Sequence, residues 1–143
     1  MNSDTVALLK ECTSGCQMAM ENVKQMRQYA KNSKLNALLE AYGEKHRKLE
    51  GQAASLLKQD GQEESSPKVI AEMMADTQMQ FRMLFHHEDK EIAKIMMDGC
   101  NMGIQSVSGY LNKYGEASAE SQAVARKLID IEENFMQEMK DFV

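Results

Sequence analysis

The sequence contains few of the residues that interrupt helices. Its 143 residues include one proline, Pro67, eight glycines and no tryptophan. Proline and glycine mark the many turns of β-rich folds, so their scarcity argues against such folds. Ala, Leu, Met, Glu, Lys and Gln dominate instead, and all six are strong helix formers. The composition alone therefore predicts an all-α protein.

Cysteine is also scarce, and the number of cysteines is odd. Cys12, Cys16 and Cys100 do not have the spacing of a disulfide framework, which fits free thiols in a reducing compartment. The first residues carry no cationic stretch followed by an apolar run, the pattern of a secretory signal. No run of residues is long and apolar enough for a transmembrane helix. We therefore expect a cytoplasmic protein without a membrane partner.

Positive charge is not concentrated anywhere in the chain, whose formal net charge is −5. Without a basic patch, nucleic acids and anionic membranes are poor candidates for partners. The sequence also lacks a glycine-rich phosphate loop and a nucleophile accompanied by a base. Cys12 and Cys16, four residues apart on a helix, match neither a zinc knuckle nor a redox motif. These absences favour a protein that is not an enzyme, and no cofactor is expected.

Apolar residues recur three and four residues apart in the first half of the chain, which is the spacing of an amphipathic helix. Ser3 or Asp4 is expected to cap a first helix that continues to about residue 31. Ser33 is a good N-cap for a second helix that reaches about residue 58. Together these two helices form a predicted first hairpin over about 3–58.

The second half shows the same spacing after a different connection. Ser66 and Pro67 start a helix over about 67–86, with proline in its first turn. The pattern is then interrupted at residues 86–89, which we interpret as a break in the helix, the alternative being a continuous helix with a kink. Two further helices, the last of them capped by Ser118, form a predicted second hairpin over about 89–143.

A short internal repeat supports the division into two hairpins. Residues 15–23 and 99–107 align without gaps at an offset of 84, and each stretch lies in the first helix of its hairpin. The main helices are roughly 36–42 Å long, so a connecting helix of about 27 Å can carry the chain back along them. The sequence therefore predicts one domain over 1–143 with a long helical crossover.

Two long hairpins joined by a proline-started crossover helix resemble the ferritin-like superfamily, and more narrowly small bacterial ferritin-like domains of unknown function. The resemblance covers nearly the whole chain and implies a ferritin-like four-helix bundle. Di-iron members carry a Glu on each of two helices and Glu-x-x-His on each of the other two. Here Gly43 stands in place of the Glu before His46, and Asp130 is followed three residues later by Glu133 rather than His. This departure argues against ferritin-type iron oxidation.

His46 lies in the middle of an otherwise apolar helical stripe and allows two interpretations. In the first, it is a core histidine hydrogen-bonded to a neighbour. In the second, antiparallel packing brings Cys16 and Glu132, with Cys100 nearby, to the level of His46 at mid-bundle. Thiolate, imidazole and carboxylate together suit a soft or borderline divalent transition metal. Cys16, His46 and Glu132 are therefore the candidate metal ligands.

Two further groups of residues leave alternatives open. Met79 and Met83 lie off the stripe of the crossover helix and, with His86 and His87, suit Cu(I). Exposed methionines also mark contact surfaces. Gly15, Gly99 and Gly103 interrupt their helices either to allow close packing or to leave a cavity for a small apolar ligand.

The helix that follows residue 89 carries a second line of apolar residues, Met97, Ile104 and Leu111, seven apart. A helix that is apolar on two faces is buried on two faces, here by the crossover helix or by a second subunit. We favour a homodimer. Two functions remain open: a non-enzymatic bundle that acts through self-association or partner binding, and a metal-binding or redox protein with a diverged mid-bundle site.

Overall fold

The computed structural model describes residues 1–66, 69–72 and 88–143. Within these ranges the chain forms helices and no strand, which confirms the all-α prediction. The four long helices are α1 (Ser3–Arg27), α2 (Ser33–Gln59), α3 (Asp89–Lys113) and α4 (Ala119–Met139). A short 3-10 helix, Lys140–Phe142, follows α4, and residues 69–72 are also helical.

Part of the predicted crossover lies outside the described residues. This applies to most of the helix expected over 67–86, to residues 86 and 87 of the expected break, and to the proposed Cu(I) ligands Met79, Met83, His86 and His87. The described side of the break agrees with the prediction, because Glu88 has an extended backbone and α3 begins at the next residue. Before the gap, Ser66 Oγ accepts a hydrogen bond from the Val69 amide, as expected of an N-cap.

Asparagine and serine side chains start three of the four long helices. Asn2, Asn32 and Ser118 each accept a hydrogen bond from a backbone amide in the first turn of the helix that follows. The predicted cap at Ser118 is confirmed. The predicted cap of α1 at Ser3 or Asp4 is wrong by one or two residues, and the predicted cap of α2 at Ser33 is wrong by one, because the asparagine before each serine takes the capping position.

The two helices of each hairpin run antiparallel. At one end of the first hairpin, the N-terminal amine of Met1 lies 3.1 Å from Asp60 Oδ1, just past α2. At the other end, Arg27 Nε donates to Asn36 Oδ1 at 2.7 Å. Gly61, which has a positive φ of 69°, turns the chain away from α2, as expected of a glycine at this stop.

Contacts at both ends of the bundle fix the direction of the second hairpin. Near the start of α1, Thr5 Oγ1 accepts a hydrogen bond of 2.8 Å from the Ser118 amide. At the opposite end, the Asp89 carboxylate accepts from the amides of Lys31 and Asn32 at 2.8 and 3.0 Å. The chain therefore leaves α2 at one end and begins α3 at the other. The connection between them spans the length of the bundle, about 40 Å for a helix like α2.

Each helix contributes one apolar face to a shared core. The pairs of long helices in contact are α1 with α2, α3 with α4, α2 with α4, α1 with α4 and α1 with α3. Buried positions of the first hairpin recur in the second, in line with the sequence repeat. The α1 and α3 positions that correspond at an offset of 84 are Leu8 and Ile92, Leu9 and Ala93, Cys12 and Met96, Cys16 and Cys100, and Val23 and Val107.

The second apolar line of α3 packs largely on this same core. Met97 and Leu111 are half-buried against it, and Ile104 is half-buried as well. A seven-residue spacing drifts by only about 20° per step on a helix, so these residues stay on one flank of the buried stripe. The line is therefore an extension of the core rather than a separate face. No helix among the described residues is long and apolar enough to cross a bilayer.

Candidate functional site at mid-bundle

A carboxylate and an imidazole meet in the centre of the bundle. His46 Nε2 of α2 lies 2.5 Å from Glu132 Oε1 of α4. The hydroxyl of Tyr42, one turn before His46, donates to Glu132 Oε2 at 2.7 Å. His46 is fully buried, and Tyr42 and Glu132 are each 5% exposed. Both oxygens of the carboxyl group thus have a partner in the core, as a buried carboxyl group requires.

The backbone determines which nitrogen of His46 carries a fixed proton. His46 Nδ1 lies 2.7 Å from the carbonyl oxygen of Tyr42, and a carbonyl oxygen only accepts. Nδ1 is therefore the protonated nitrogen, and Nε2 shares the remaining proton with Glu132. Whether this proton sits on nitrogen or on oxygen, the pair has no net charge. This neutrality is what allows two ionisable groups to remain buried together.

Aromatic packing and burial hold Tyr42 as a neutral phenol. Its ring stacks on Phe135 with centroids 4.1 Å apart and lies 4.1 Å from the His46 ring. Burial first, and then the negative charge of Glu132, hold the pKa of Tyr42 well above its usual range. Tyr42 therefore keeps its proton and acts as a hydrogen-bond donor to Glu132.

The thiols around this cluster are also held in the neutral form. Cys100 Sγ lies 3.8 Å from Tyr42 Oη, and Cys12, Cys16 and Cys100 are free and buried. Burial raises the pKa of Cys12 to about 12 and moves the pKa of Cys16 and Cys100 upward as well. Because the thiolate is both the nucleophile and the metal ligand, these cysteines are unreactive at neutral pH.

The structure brings two of the three predicted ligands into direct contact. His46 and Glu132 share a hydrogen bond, whereas Cys16 is a buried neighbour whose pKa is raised in part by the Glu132 charge. Within the described ranges, no group of three or more His, Cys, Asp or Glu side chains is arranged to hold a metal ion. The role of Cys16, His46 and Glu132 as metal ligands stays a prediction.

Sequence analysis did not single out Tyr42, which lies on the same stripe of α2 as His46. The signal was present, because residues four apart on a helix lie on the same face and both Tyr42 and His46 have polar tips. Gly103 lies beside the Glu132 side chain of this cluster. A Cβ atom there would lie 3.6 Å from the Glu132 carboxyl carbon, which supports close packing over a cavity at this position.

His46 and Glu132 occupy equivalent positions in the two hairpins. They are 86 residues apart, and the same offset relates the other buried positions of α2 to those of α4. The corresponding pairs are Leu35 and Ser121, Leu39 and Ala125, Tyr42 and Leu128, Leu49 and Phe135, and Ala53 and Met139. The approximate two-fold relation between the hairpins therefore places an imidazole opposite a carboxyl group.

An open groove lies outside the core, between α2 and α4. It is lined by small residues, among them Gly51, Ser55 and Ala123, together with Leu56 and Val124. Its charged groups are Lys48, Lys127 and Glu120. The groove is open to solvent.

Comparison with known proteins gives no relative for this chain. No protein-family model matches the sequence, and no curated protein sequence and no solved structure is significantly similar to it.

Proposed function

We propose that this protein is a ferritin-like four-helix bundle without a reaction of its own, and that it acts through association as a homodimer. The fold proposal is supported by the helix directions. α2 and α3 run the same way and are joined by a connection as long as the bundle, and the two helices of each hairpin run antiparallel. A single long crossover of this kind is characteristic of ferritin-like folds. The free, buried thiols fit the reducing cytoplasm.

The absence of a reaction is proposed from how the core groups are used. Each polar atom of the Tyr42, His46 and Glu132 cluster that faces the core has a protein partner. The groups are sealed from solvent, and the neighbouring thiols keep their protons. A general base or nucleophile needs contact with a substrate. This cluster is arranged instead to join α2 to α4.

The groove between α2 and α4 carries the proposal of a homodimer. Lys48 lies near the level of the His46–Glu132 contact, whereas Glu120 lies in the first turn of α4. Their axial separation is about 15 Å, so they occupy opposite ends of the groove. A two-fold axis through its middle brings Lys48 of each copy to Glu120 of the other. The surface is therefore complementary to itself, as an isologous interface requires.

The test is an exchange of these charges. Sedimentation equilibrium at increasing protein concentration should give a monomer–dimer transition for the unmodified chain. Lys48→Glu and Glu120→Lys should each weaken the dimer at least tenfold, because like charges then face each other. The double variant restores opposite charges and should recover most of the affinity. Raising the salt concentration should weaken the unmodified dimer and the double variant alike.

Two control variants test whether the effect of the charge exchange is specific to this groove. Ser106→Arg changes an exposed residue of α3, away from the groove, and should leave the dimer unchanged. Ala123→Arg fills the middle of the groove and should give a monomer. A chain that is monomeric at every concentration, or a double variant no better than the single ones, would refute the homodimer through this groove.

A metal site at mid-bundle is the second candidate function, and one observation favours it. His46 Nδ1 is held by a backbone carbonyl, the arrangement in which a histidine usually presents its other nitrogen to a metal. A divalent ion between His46 and Glu132 would replace the shared proton, with Cys16 or Cys100 as a further ligand. Binding would therefore release protons and weaken as the pH falls.

Elemental analysis of protein purified without an affinity tag decides between the candidates. Stoichiometric metal that is lost in His46→Ala but kept in Leu49→Ala would establish the metal site. Leu49 is the matched control because it is buried on the same helix and has no ligating atom. Metal absent from every sample would leave His46 and Glu132 as groups that hold the core together.

A further inference from the structure

The contact between His46 and Glu132 lies on the approximate two-fold axis that relates the two hairpins. The two residues are 86 positions apart, and the same offset relates the buried positions of α2 to those of α4. A two-fold rotation exchanges equivalent positions, so equivalent side chains touch each other only where the axis passes between them. His46 Nε2 and Glu132 Oε1 are 2.5 Å apart in the core. The axis therefore passes through this contact.

The apolar residues on either side of the axis do not determine which hairpin pairs with which. If two first hairpins from different copies met on the same axis, residues equally far before and after His46 would face each other. Leu39 would then face Ala53, and Leu35 would face Leu57. All four are fully buried in the bundle. Because hydrophobic contact is non-directional, these residues alone do not exclude a pair of like hairpins.

The residue on the axis does exclude a pair of first hairpins. Each His46 would face another His46, and each Nδ1 proton already goes to the carbonyl of Tyr42. Two Nε2 lone pairs would then meet, and a proton placed between them would leave a positive charge buried in the core. The hydroxyl of Tyr42 would also lose Glu132, the acceptor that it has in the bundle.

A pair of second hairpins is excluded for the opposite reason. Each Glu132 would face another Glu132, and α4 has Leu128 at the position equivalent to Tyr42, so no phenol donates to either carboxyl group. At neutral pH two carboxylates have only acceptor atoms, and their charges repel each other. Only one first hairpin with one second hairpin gives a neutral contact in which the donor matches the acceptor.

We propose that the His46–Glu132 contact determines the partner of each hairpin: the buried face of the first hairpin accepts a second hairpin and rejects a copy of itself. A single buried polar residue fixes register and partner choice in coiled coils in the same way. Rejection of the wrong pair contributes to such specificity as much as attraction of the right one. The contact thus suppresses pairing between like hairpins of different copies while the chain folds.

Refolding two full-length variants together tests this proposal. In Glu132→His both axis positions carry an imidazole, and in His46→Glu both carry a carboxyl group. Neither chain contains a matched contact, whereas exchange of hairpins between the two chains gives two matched contacts. One variant is labelled with a heavy nitrogen isotope, the two are refolded together from urea, and native mass spectrometry measures each species. Heterodimers should exceed homodimers by about tenfold or more, because mismatched groups would otherwise stay buried.

The controls separate partner choice from simple loss of stability. Every chain carries Ala123→Arg, so the outcome does not depend on the homodimer proposed above. The chain with both His46→Glu and Glu132→His has a matched contact again and should refold alone to a monomer. A mixture of Leu49→Ala with Phe135→Ala, equivalent buried apolar positions, should give no excess of heterodimers. The proposal is overturned by an absence of excess heterodimers in the first mixture, by an equal excess in the control mixture, or by a double variant no more stable than the single ones.

Discussion

His46 can remain in the core because both of its ring nitrogens have a partner. The carbonyl of Tyr42 takes the Nδ1 proton, and Glu132 shares the proton at Nε2. The sequence placed a histidine in an apolar stripe and allowed two interpretations of it. Antiparallel packing predicted Glu132 at the level of His46, and the structure shows the two side chains in direct contact. The first interpretation, a core histidine bonded to a neighbour, describes the observed contacts.

Removing both members of this pair should cost less than the sum of the two single removals. Glu132→Ala and His46→Ala should each lower the free energy of unfolding by about 3–5 kcal/mol, because the remaining group stays buried without its partner. The double variant should cost less than the sum by about 1–3 kcal/mol. Urea denaturation of the four proteins measures this coupling.

A second pair of substitutions tests whether the coupling is specific to the contact between His46 and Glu132. His46→Ala combined with Leu35→Ala joins two buried residues of α2 that lie about 16 Å apart along the helix, so their effects should add. Additive effects for His46 and Glu132 as well would mean that the 2.5 Å contact contributes nothing specific to stability.

The start of a helix was predicted correctly where the sequence offers a single good N-cap residue. It was predicted less accurately where two adjacent residues are both good N-caps. Ser118 is the only good cap before α4, and it was identified correctly. Before α1 and α2, an asparagine is followed directly by a serine, and both residues are good caps. The choice depends on which residue has extended backbone, and Asn32 does, with ψ of 125°. Propensity alone does not separate such adjacent candidates.

Substitutions at the start of α2 can test whether Asn32 or Ser33 is its N-cap. Asn32 Oδ1 accepts hydrogen bonds from the amides of Lys34 and Leu35, so Asn32→Ala should destabilise the protein by about 1 kcal/mol. Ser33→Ala, at the neighbouring position inside the helix, should change stability by less than about 0.5 kcal/mol. Thermal unfolding followed by circular dichroism compares the two variants. A larger loss for Ser33→Ala would reverse the assignment of the cap.

At the scale of the whole molecule, the sequence predicted two hairpins and a long connection, and the ends of the described helices agree with both. The repeat was visible because Cys16 and Cys100 lie in similar stretches of α1 and α3. The repeat between α2 and α4 was not visible, because corresponding residues differ in type, as Tyr42 and Leu128 do. The corresponding positions of α2 and α4 are buried in both helices although their residue types differ. Packing was therefore predictable from apolar spacing, whereas the hydrogen bond of Tyr42 to Glu132 at the centre was not.

The hydroxyl group of Thr5 forms a hydrogen bond that joins the two hairpins, so its loss should lower the stability of the whole molecule. Thr5 is 2% exposed, and its Oγ1 accepts the hydrogen bond of the Ser118 amide at the start of α4. Thr5→Val keeps the shape but removes the acceptor, so the Ser118 amide loses this bond. We expect a loss of about 1–2 kcal/mol in the free energy of unfolding. Both hairpins should still unfold in one transition, because they share a single core.

Thr13→Val is the matched control for this prediction. Thr13 is fully buried in the same helix, but its hydroxyl bonds to the Lys10 carbonyl within α1 and does not reach the second hairpin. That carbonyl keeps its backbone partner in the helix, so the substitution should cost less than about 1 kcal/mol. Urea denaturation monitored by circular dichroism gives both values. If Thr13→Val costs as much as Thr5→Val, the loss reflects a buried hydroxyl in general and not the bond that joins the hairpins.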